Sequence, residues 1–251
     1  MSITERQSNI LNCLIEEYIE SAKPVSSQLL QDRHNFGIKP ASIRLEMQRL
    51  TDDGYIMQPH TSSGRVPTDK GYRFFVDELL EDDFDYSDPR SWFIDEETED
   101  SIKFIQSVTK KLAQAAETLV LTYLEKEKIL WKEGWEEVLR EPEFSEQDCT
   151  VNFAEFLESF EEMVAETSFF SRLPAPSRGS AIEDLKVNSE IKIFIGKENP
   201  LKNAGEFSII ISRCHLPGDD ESIVSILGPK RMDYDKNIGL MSSLRNALEN
   251  L

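Results

Sequence analysis

The apolar residues of the first 80 positions recur at helical spacing, and this pattern constrains the fold more than any other feature of the chain. Residues 5–20 place six apolar side chains on one helical face. The segment KPVSS then breaks the pattern, and Ser26 or Ser27 can cap a short second helix that runs to about His34, before Gly37. The sequence therefore predicts two helices joined by a tight connection.

A third helix is predicted from Pro40 to Gly54, because proline lacks the N–H that would be unbonded in a first helical turn. Its apolar face carries Ile43, Met47 and Leu50. A short strand (55–59), a polar turn and a fourth helix that opens at Thr68 and Asp69 follow. This order is the outline of a winged helix-turn-helix, whose third helix enters the major groove of DNA.

The outward face of the third helix and the polar turn carry residue types that contact DNA. Arginine suits guanine edges and phosphates, and glutamine pairs with adenine. Histidine and hydroxyl side chains hydrogen-bond phosphate oxygens. Residues 39–73 hold six Lys and Arg against four acids, so this surface is predicted to be mildly basic. The candidate DNA-binding residues are Lys39, Ser42, Arg44, Gln48, Arg49, His60, Thr61, Ser62, Ser63 and Arg65.

The turn QPHTSSGR (58–65) is predicted to be the wing. Gly64 is expected to adopt a positive φ that sets its tip. Arg65, beside it, is expected to insert into a minor groove, where narrow A·T tracts concentrate negative potential. His60 and the hydroxyls could equally hydrogen-bond only within the turn.

The two arginines of the third helix also have a second interpretation. Arg44 and Arg49 could be solvated helix charges, or they could be ion-pair partners of Glu46 and Asp53 at i,i+2 or i,i+4 spacing. Of the two spacings, only the i,i+4 separation of Arg49 and Asp53 brings two side chains onto one helical face.

The negative charge of the chain is concentrated in its middle. The formal net charge is −19, of which residues 1–80 contribute −2, residues 81–184 contribute −17 and residues 185–251 contribute 0. An isoelectric point of 4.6 would argue against nucleic acid as a partner, whereas the local balance does not. The acidic segment 81–101 is predicted to be a linker.

The remainder of the chain mixes helical and strand-like patterns. Helices are predicted at 102–117, 153–166 and 233–250, and strands at 118–124, 128–133, 191–196, 207–214 and 222–228. This mixture indicates an α+β domain with an antiparallel sheet. A stripe of apolar residues is expected to form a core or a dimer face, and comprises Phe153, Phe156, Leu157, Phe160, Met163 and Val164. Asp233 can cap the last helix, and Arg231 is expected to bridge domains.

Several classes of protein and site are not predicted. The sequence has no P-loop, G-x-S-x-G or dinucleotide-binding motif, so an enzyme is not expected. Neither a cofactor nor a metal is expected, since His215 beside Cys214 lacks a second pair of ligands. Cys13, Cys149 and Cys214 are expected to be buried free thiols of a cytoplasmic protein. No apolar run approaches the roughly 18–20 residues of a transmembrane helix.

Four segments, in order along the chain, resemble the heat-inducible transcription repressor family HrcA. They are PVSSQLL (24–30), PASIRLEMQRLTDDGYIMQPHTSSGR (40–65), HTSSGRVPTDKGYRFFVDEL (60–79) and ILGPKRMDYDKNIGLM (226–241). The resemblance implies a winged-helix DNA-binding domain at 1–80, the acidic linker at 81–101 and a GAF-like regulatory and dimerisation domain at 102–251. It further implies a homodimer on an inverted-repeat, double-stranded operator upstream of chaperone genes, with a GroE-type chaperonin as partner.

The chain departs from the family pattern at specific places. Leu45 stands where the family usually has Asn, and Lys39 stands where a Ser normally caps the helix. These changes imply a different operator, or a helix start weaker by roughly 1 kcal/mol. The chain is also shorter than the usual member, with no room between 133 and 155 for the inserted dimerisation segments. The resemblance therefore does not predict the dimer interface.

Two other functions remain open on the sequence. A GAF-like core could bind a small molecule, which would make the protein a ligand-sensing regulator. Alternatively, the acidic middle could be the docking surface of a protein-interaction module that has lost DNA binding.

Overall fold

The fold was obtained as a computed structural model. It describes residues 3–61, 63–81, 101–166, 191–216 and 220–249. The chain divides into two compact units, which among these residues comprise 3–81 and 101–249. The predicted acidic linker lies outside the described residues except for its two terminal positions.

The first unit consists of four helices and a two-stranded antiparallel hairpin. Its elements are α1 (Glu5–Ser21), α2 (Ser27–Arg33), α3 (Pro40–Asp52), β1 (Ile56–Met57), β2 (Val66–Pro67) and α4 (Asp69–Glu81). The predicted order is confirmed. The predicted end of the second helix near His34 is confirmed: α2 ends at Arg33, and Gly37 lies in the following connection with a φ of 65°.

Local capping explains where these helices begin. The Oγ of Ser26 accepts the backbone N–H of Leu29 at 3.1 Å, so Ser26 rather than Ser27 caps α2. The Oγ1 of Thr68 accepts the N–H of Gly71 at 3.2 Å at the start of α4. Lys39 precedes α3 without a side-chain cap, and that helix instead begins with a proline.

The second unit is built around a five-stranded antiparallel sheet. Its elements are α5 (Ser101–Ala116), β3 (Leu119–Leu124), β4 (Ile129–Glu133), α6 (Trp135–Val138), α7 (Gln147–Val164), β5 (Ile191–Ile195), β6 (Phe207–Leu216), β7 (Asp220–Pro229) and α8 (Tyr234–Glu249). The strand order is β4-β3-β7-β6-β5. The predicted α+β class with an antiparallel sheet is confirmed for the described residues.

The strand register separates the two faces of this sheet. Leu119, Leu227 and Ile209 are cross-strand neighbours and share one face with the aromatic residues of α7. On the other face, the Thr122 hydroxyl hydrogen-bonds that of Thr109 on α5 at 2.8 Å. Helices therefore cover both faces, which explains why β3 is buried at all six of its positions.

The apolar stripe of α7 supplies the core of one face. Phe153, Phe156 and Phe160 are buried, and Phe207 of β6 packs against the first two at ring-centroid distances of 5.0 and 5.2 Å. The predicted start of this helix is wrong, because α7 begins six residues before the stripe, at Gln147. Its first turn is polar, so apolar periodicity could not reveal it.

The residues before α8 are held within the second unit. Asp233 caps α8 as predicted, since its Oδ1 accepts the N–H of Lys236 at 3.1 Å. A bridge between domains at Arg231 stays a prediction that its described contacts do not test. Its guanidinium is buried against the carboxylates of Glu141 and Glu143, which belong to the same unit.

The described residues contain three free cysteines and no helix suited to cross a membrane. Cys13, Cys149 and Cys214 are free thiols, of which the last two are buried and the first is half-buried. Burial raises the pKa of Cys149 to about 11. Across the residues that the structure describes, no helix combines the length and the hydropathy needed to cross a membrane.

Phe156→Ala is expected to lower the free energy of unfolding of the second unit by about 3–5 kcal/mol, because it leaves a cavity between α7 and the sheet. Val151→Ala is the matched control, since Val151 lies on the same helix and is 48% exposed. Its effect should stay within about 0.5 kcal/mol. Urea unfolding followed by circular dichroism measures both, and equal effects would contradict this packing.

Candidate nucleic-acid interface

Helix α3 separates an apolar inner face from a polar outer face. Ile43, Met47 and Leu50 are buried against the first unit's core, as predicted. The outer face is exposed and carries Ser42, Arg44, Leu45, Gln48 and Arg49. The predicted outward residues of this helix are thus all available to a partner, and Lys39 is exposed beside its first turn.

A buried carboxylate orients α3 against α1. Glu46 is 8% exposed and accepts hydrogen bonds from Arg49 at 3.0 Å and from the Gln7 amide at 3.2 Å. The sequence considered Asp53 as the same-face partner of Arg49, whereas the structure pairs Arg49 with Glu46 one turn earlier. The Arg49 side chain keeps 55% of its surface exposed, so it is held at one end and open at the other.

Arg65 lies at the base of the hairpin, so its predicted position at the tip is wrong. Its Nε donates to the Oγ1 of Thr51 at 3.1 Å, and its Nη2 donates to the Oε1 of Gln48 at 3.3 Å. The Nε2 of Gln48 in turn donates to Asp52 at 2.9 Å. A hydrogen-bonded row along α3 therefore holds the Arg65 guanidinium beside the outer face of that helix.

Gly64 is required for close approach rather than for a positive φ. It is absent from the positive-φ glycines, which corrects the sequence expectation. A Cβ at this position would lie 2.4 Å from the carbonyl oxygen of Val25. Val25 and Arg65 exchange two backbone hydrogen bonds of 2.8 Å, so the hairpin lies directly against the segment before α2.

The hairpin turn is closed by two side chains. The Nε2 of Gln58 donates to the carbonyl oxygens of Thr61 and Ser63, at 2.9 and 3.1 Å. The Oγ of Ser63 donates to the carbonyl of His60 and accepts its N–H. The hydroxyl of Ser63 thus hydrogen-bonds within the turn, which is one of the alternatives that the sequence left open. The side chains of His60 and Thr61 are exposed at the tip, and Ser62 lies outside the described residues.

A groove of about 390 Å³ runs between the hairpin, α3 and the start of α2. Arg44 and Arg65 both line it, together with hydroxyls and the Gln58 amide. Within the described part of the chain, no hydrogen bond or ion pair engages the Arg44 side chain. Two guanidinium groups beside a polar groove can bind phosphate oxygens or the acceptor atoms of guanine.

Sequence reasoning missed the residues that hold this surface in place. Thr51 and Gln58 contribute no charge, yet one binds Arg65 and the other closes the turn. Lys70 lies 4.1 Å from the centre of the Tyr55 ring and donates to the Asp53 carbonyl. Of these residues, only Gln58 could have been found from the sequence, because it is an amide directly before the proline of the predicted turn.

Comparison of the chain with a family model and with curated proteins finds the same family. Residues 83–238 match the family model described as the HrcA protein C-terminal domain. The heat-inducible transcription repressor HrcA of Streptomyces avermitilis is 49% identical over 77 residues, 31% of this chain and 23% of that protein. The repressor of the same name from Natranaerobius thermophilus is 52% identical over 80 residues, 32% of this chain and 23% of that protein. These matches thus span less than a quarter of the length of the curated relatives.

One solved structure shares the fold over nearly the whole chain. It is the crystal structure of a hypothetical protein, with a TM-score of 0.73 and 22% sequence identity. The alignment covers 98% of this chain and 96% of that chain. The described arrangement of helices and strands therefore recurs in an experimentally determined structure.

Gly64→Ala is expected to lower the free energy of unfolding of the first unit by about 1–3 kcal/mol, because its Cβ would collide with the Val25 backbone. Gly205→Ala is the control, since a Cβ there meets nothing within 4 Å. Hydrogen exchange should show faster exchange at the amides of Val25 and Arg65 in the first variant alone. Unchanged protection of both amides would refute the close approach.

Proposed function

Because the chain belongs to the HrcA family, we propose that it is a transcription repressor that binds double-stranded DNA through its first unit. The curated relatives carry the name heat-inducible transcription repressor. The observation that carries the proposal is the pair of arginines, Arg44 and Arg65, that line one groove between α3 and the hairpin.

Helix α3 is the element that enters the major groove. With 13 residues it is about 20 Å long, and an α-helix with its side chains is about 10–12 Å wide, which matches the groove. Arg44 has no internal partner among the described residues, so its guanidinium can bind a guanine edge without giving up a bond. In the free protein both ends of the Gln48 amide are already hydrogen-bonded, and pairing with adenine would require it to release them.

The hairpin is the wing of a winged helix and contacts the DNA backbone. His60 and Thr61 extend from its tip, where they reach phosphate oxygens as hydrogen-bonding groups. Arg65 stands at the base of the wing beside α3, a position that suits a phosphate at the edge of the major groove rather than the minor groove. Ser42 and Arg49 on the outer face of α3, and Lys39 just before it, add further phosphate contacts.

Two cations of this surface keep their charge free for a partner. Glu46 is buried against Arg49 and Gln7 and neutralises Arg49, whereas Asp52 only accepts a hydrogen bond from the uncharged Gln48 amide. Arg44 and Lys39 have no such neutralising partner among the described residues. Attraction to phosphate, which supplies most of nonspecific DNA affinity, therefore acts at this face despite the net charge of −19.

The proposed organisation is a winged-helix domain at 1–80, a linker at 81–101 and a GAF-like domain at 102–251 that regulates and dimerises. A single recognition helix reads one half-site, so a two-fold symmetric homodimer is needed for an inverted repeat. The sheet of the second unit, with helices on both faces, supports the GAF-like assignment. A GroE-type chaperonin partner stays a prediction, tested by adding chaperonin to the DNA titration below.

The deciding experiment is binding of the full chain to an inverted-repeat duplex from a chaperone-gene promoter and to a scrambled duplex, each across a salt series. Tight binding to the repeat, with log affinity falling linearly in log salt, is expected. Arg44→Ala should weaken binding to the repeat by about tenfold or more, the loss typical of one base contact. Arg140→Ala is the charge-matched control, since Arg140 is 77% exposed in the second unit. Absence of binding to either duplex would reject the proposal.

Arg65→Ala is expected to weaken the repeat and the scrambled duplex by the same factor, because its guanidinium contacts phosphate in either sequence. The slope of log affinity against log salt should also fall by about one. A loss confined to the inverted repeat would instead assign base recognition to Arg65.

A further inference from the structure

An apolar side chain lies on the exposed outer face of α3. Leu45 is 54% exposed, the highest value among the large hydrophobic residues in the described ranges. Successive residues of an α-helix are rotated by about 100°, so Leu45 lies about 100° from Arg44 and about 40° from Arg49. The two arginines therefore lie on opposite sides of a leucine on the solvent-facing side of the helix.

We propose that Leu45 reads the C5-methyl group of a thymine in the major groove, an inference that rests on the proposed DNA binding. A leucine side chain has no donor or acceptor. The thymine methyl is the one apolar group that the four bases present in the major groove. Contact between the two removes apolar surface from water. Contact with any other base edge would instead cover donors or acceptors without replacing their hydrogen bonds.

The neighbouring side chains favour a readout centred on Leu45. The amide of Gln48 is engaged by Arg65 and Asp52, and Arg49 is engaged by Glu46. On the outer face these polar groups already hold internal hydrogen bonds, whereas the apolar surface of Leu45 is covered only when a partner arrives. Arg44 and Leu45 then read adjacent features, a guanine edge and a thymine methyl.

The test begins with a duplex selected by the full chain from a randomised pool. Each thymine of the selected duplex is replaced singly by deoxyuridine, which removes only the methyl group. One thymine in each half-site should show about fourfold weaker binding on replacement, the value for burying one methyl group. Leu45→Ala should bind the unmodified duplex more weakly and lose this sensitivity. Val151→Ala, which changes an exposed apolar residue of the second unit, should keep it.

The outcomes separate this inference from the proposal beneath it. Selection of a specific duplex in which every deoxyuridine replacement is neutral overturns the role of Leu45 and leaves the repressor proposal intact. A methyl effect that persists in Leu45→Ala assigns the contact to another residue and also overturns the inference. Failure to enrich any duplex overturns both. Leu45 is exposed, so its substitution should leave thermal unfolding unchanged, which confirms that the variant is folded.

Discussion

Two backbone hydrogen bonds between Val25 and Arg65 hold the hairpin against the segment that precedes α2. They form only because Gly64 lacks a Cβ, which would otherwise meet the Val25 carbonyl. With the backbone fixed there, the Arg65 side chain reaches Thr51 and Gln48 on α3. The groove, the hairpin and the outer face of α3 are thus set relative to one another by a contact that involves no charge.

Buried carboxylates set the second constraint on the first unit. Glu17 on α1 is 4% exposed and is paired with Arg33 and His34 at the end of α2. Glu46 on α3 is paired with Arg49 and with Gln7 at the start of α1. Each carboxylate needs its partners, because an uncompensated buried charge is strongly destabilising. The helices that would contact DNA are consequently anchored to α1 by polar pairs as well as by the apolar core.

Predictions from the sequence were correct where the residues that cause a feature are close together in the chain. Apolar periodicity located α1 and α3, and the apolar runs located the strands of the second unit, because burial on a face leaves a repeat in the sequence. Capping at Thr68 and Asp233 was equally readable, since cap and helix are neighbours in the chain. The start of α7 was not, because its first turn carries no apolar stripe.

The candidate site was predicted as a set of residue types but not as an arrangement. The sequence by itself determined the helices, the outward face of α3 and the polar turn, since these follow from spacing, caps and turn residues. Only the tertiary structure decided that Arg65 lies at the base of the hairpin, that Gly64 is needed for close approach, and that Glu46 is buried beside Gln7, where it binds Arg49. These outcomes depend on pairs such as Gly64 with Val25, which lie far apart in sequence and meet only after the helices have packed.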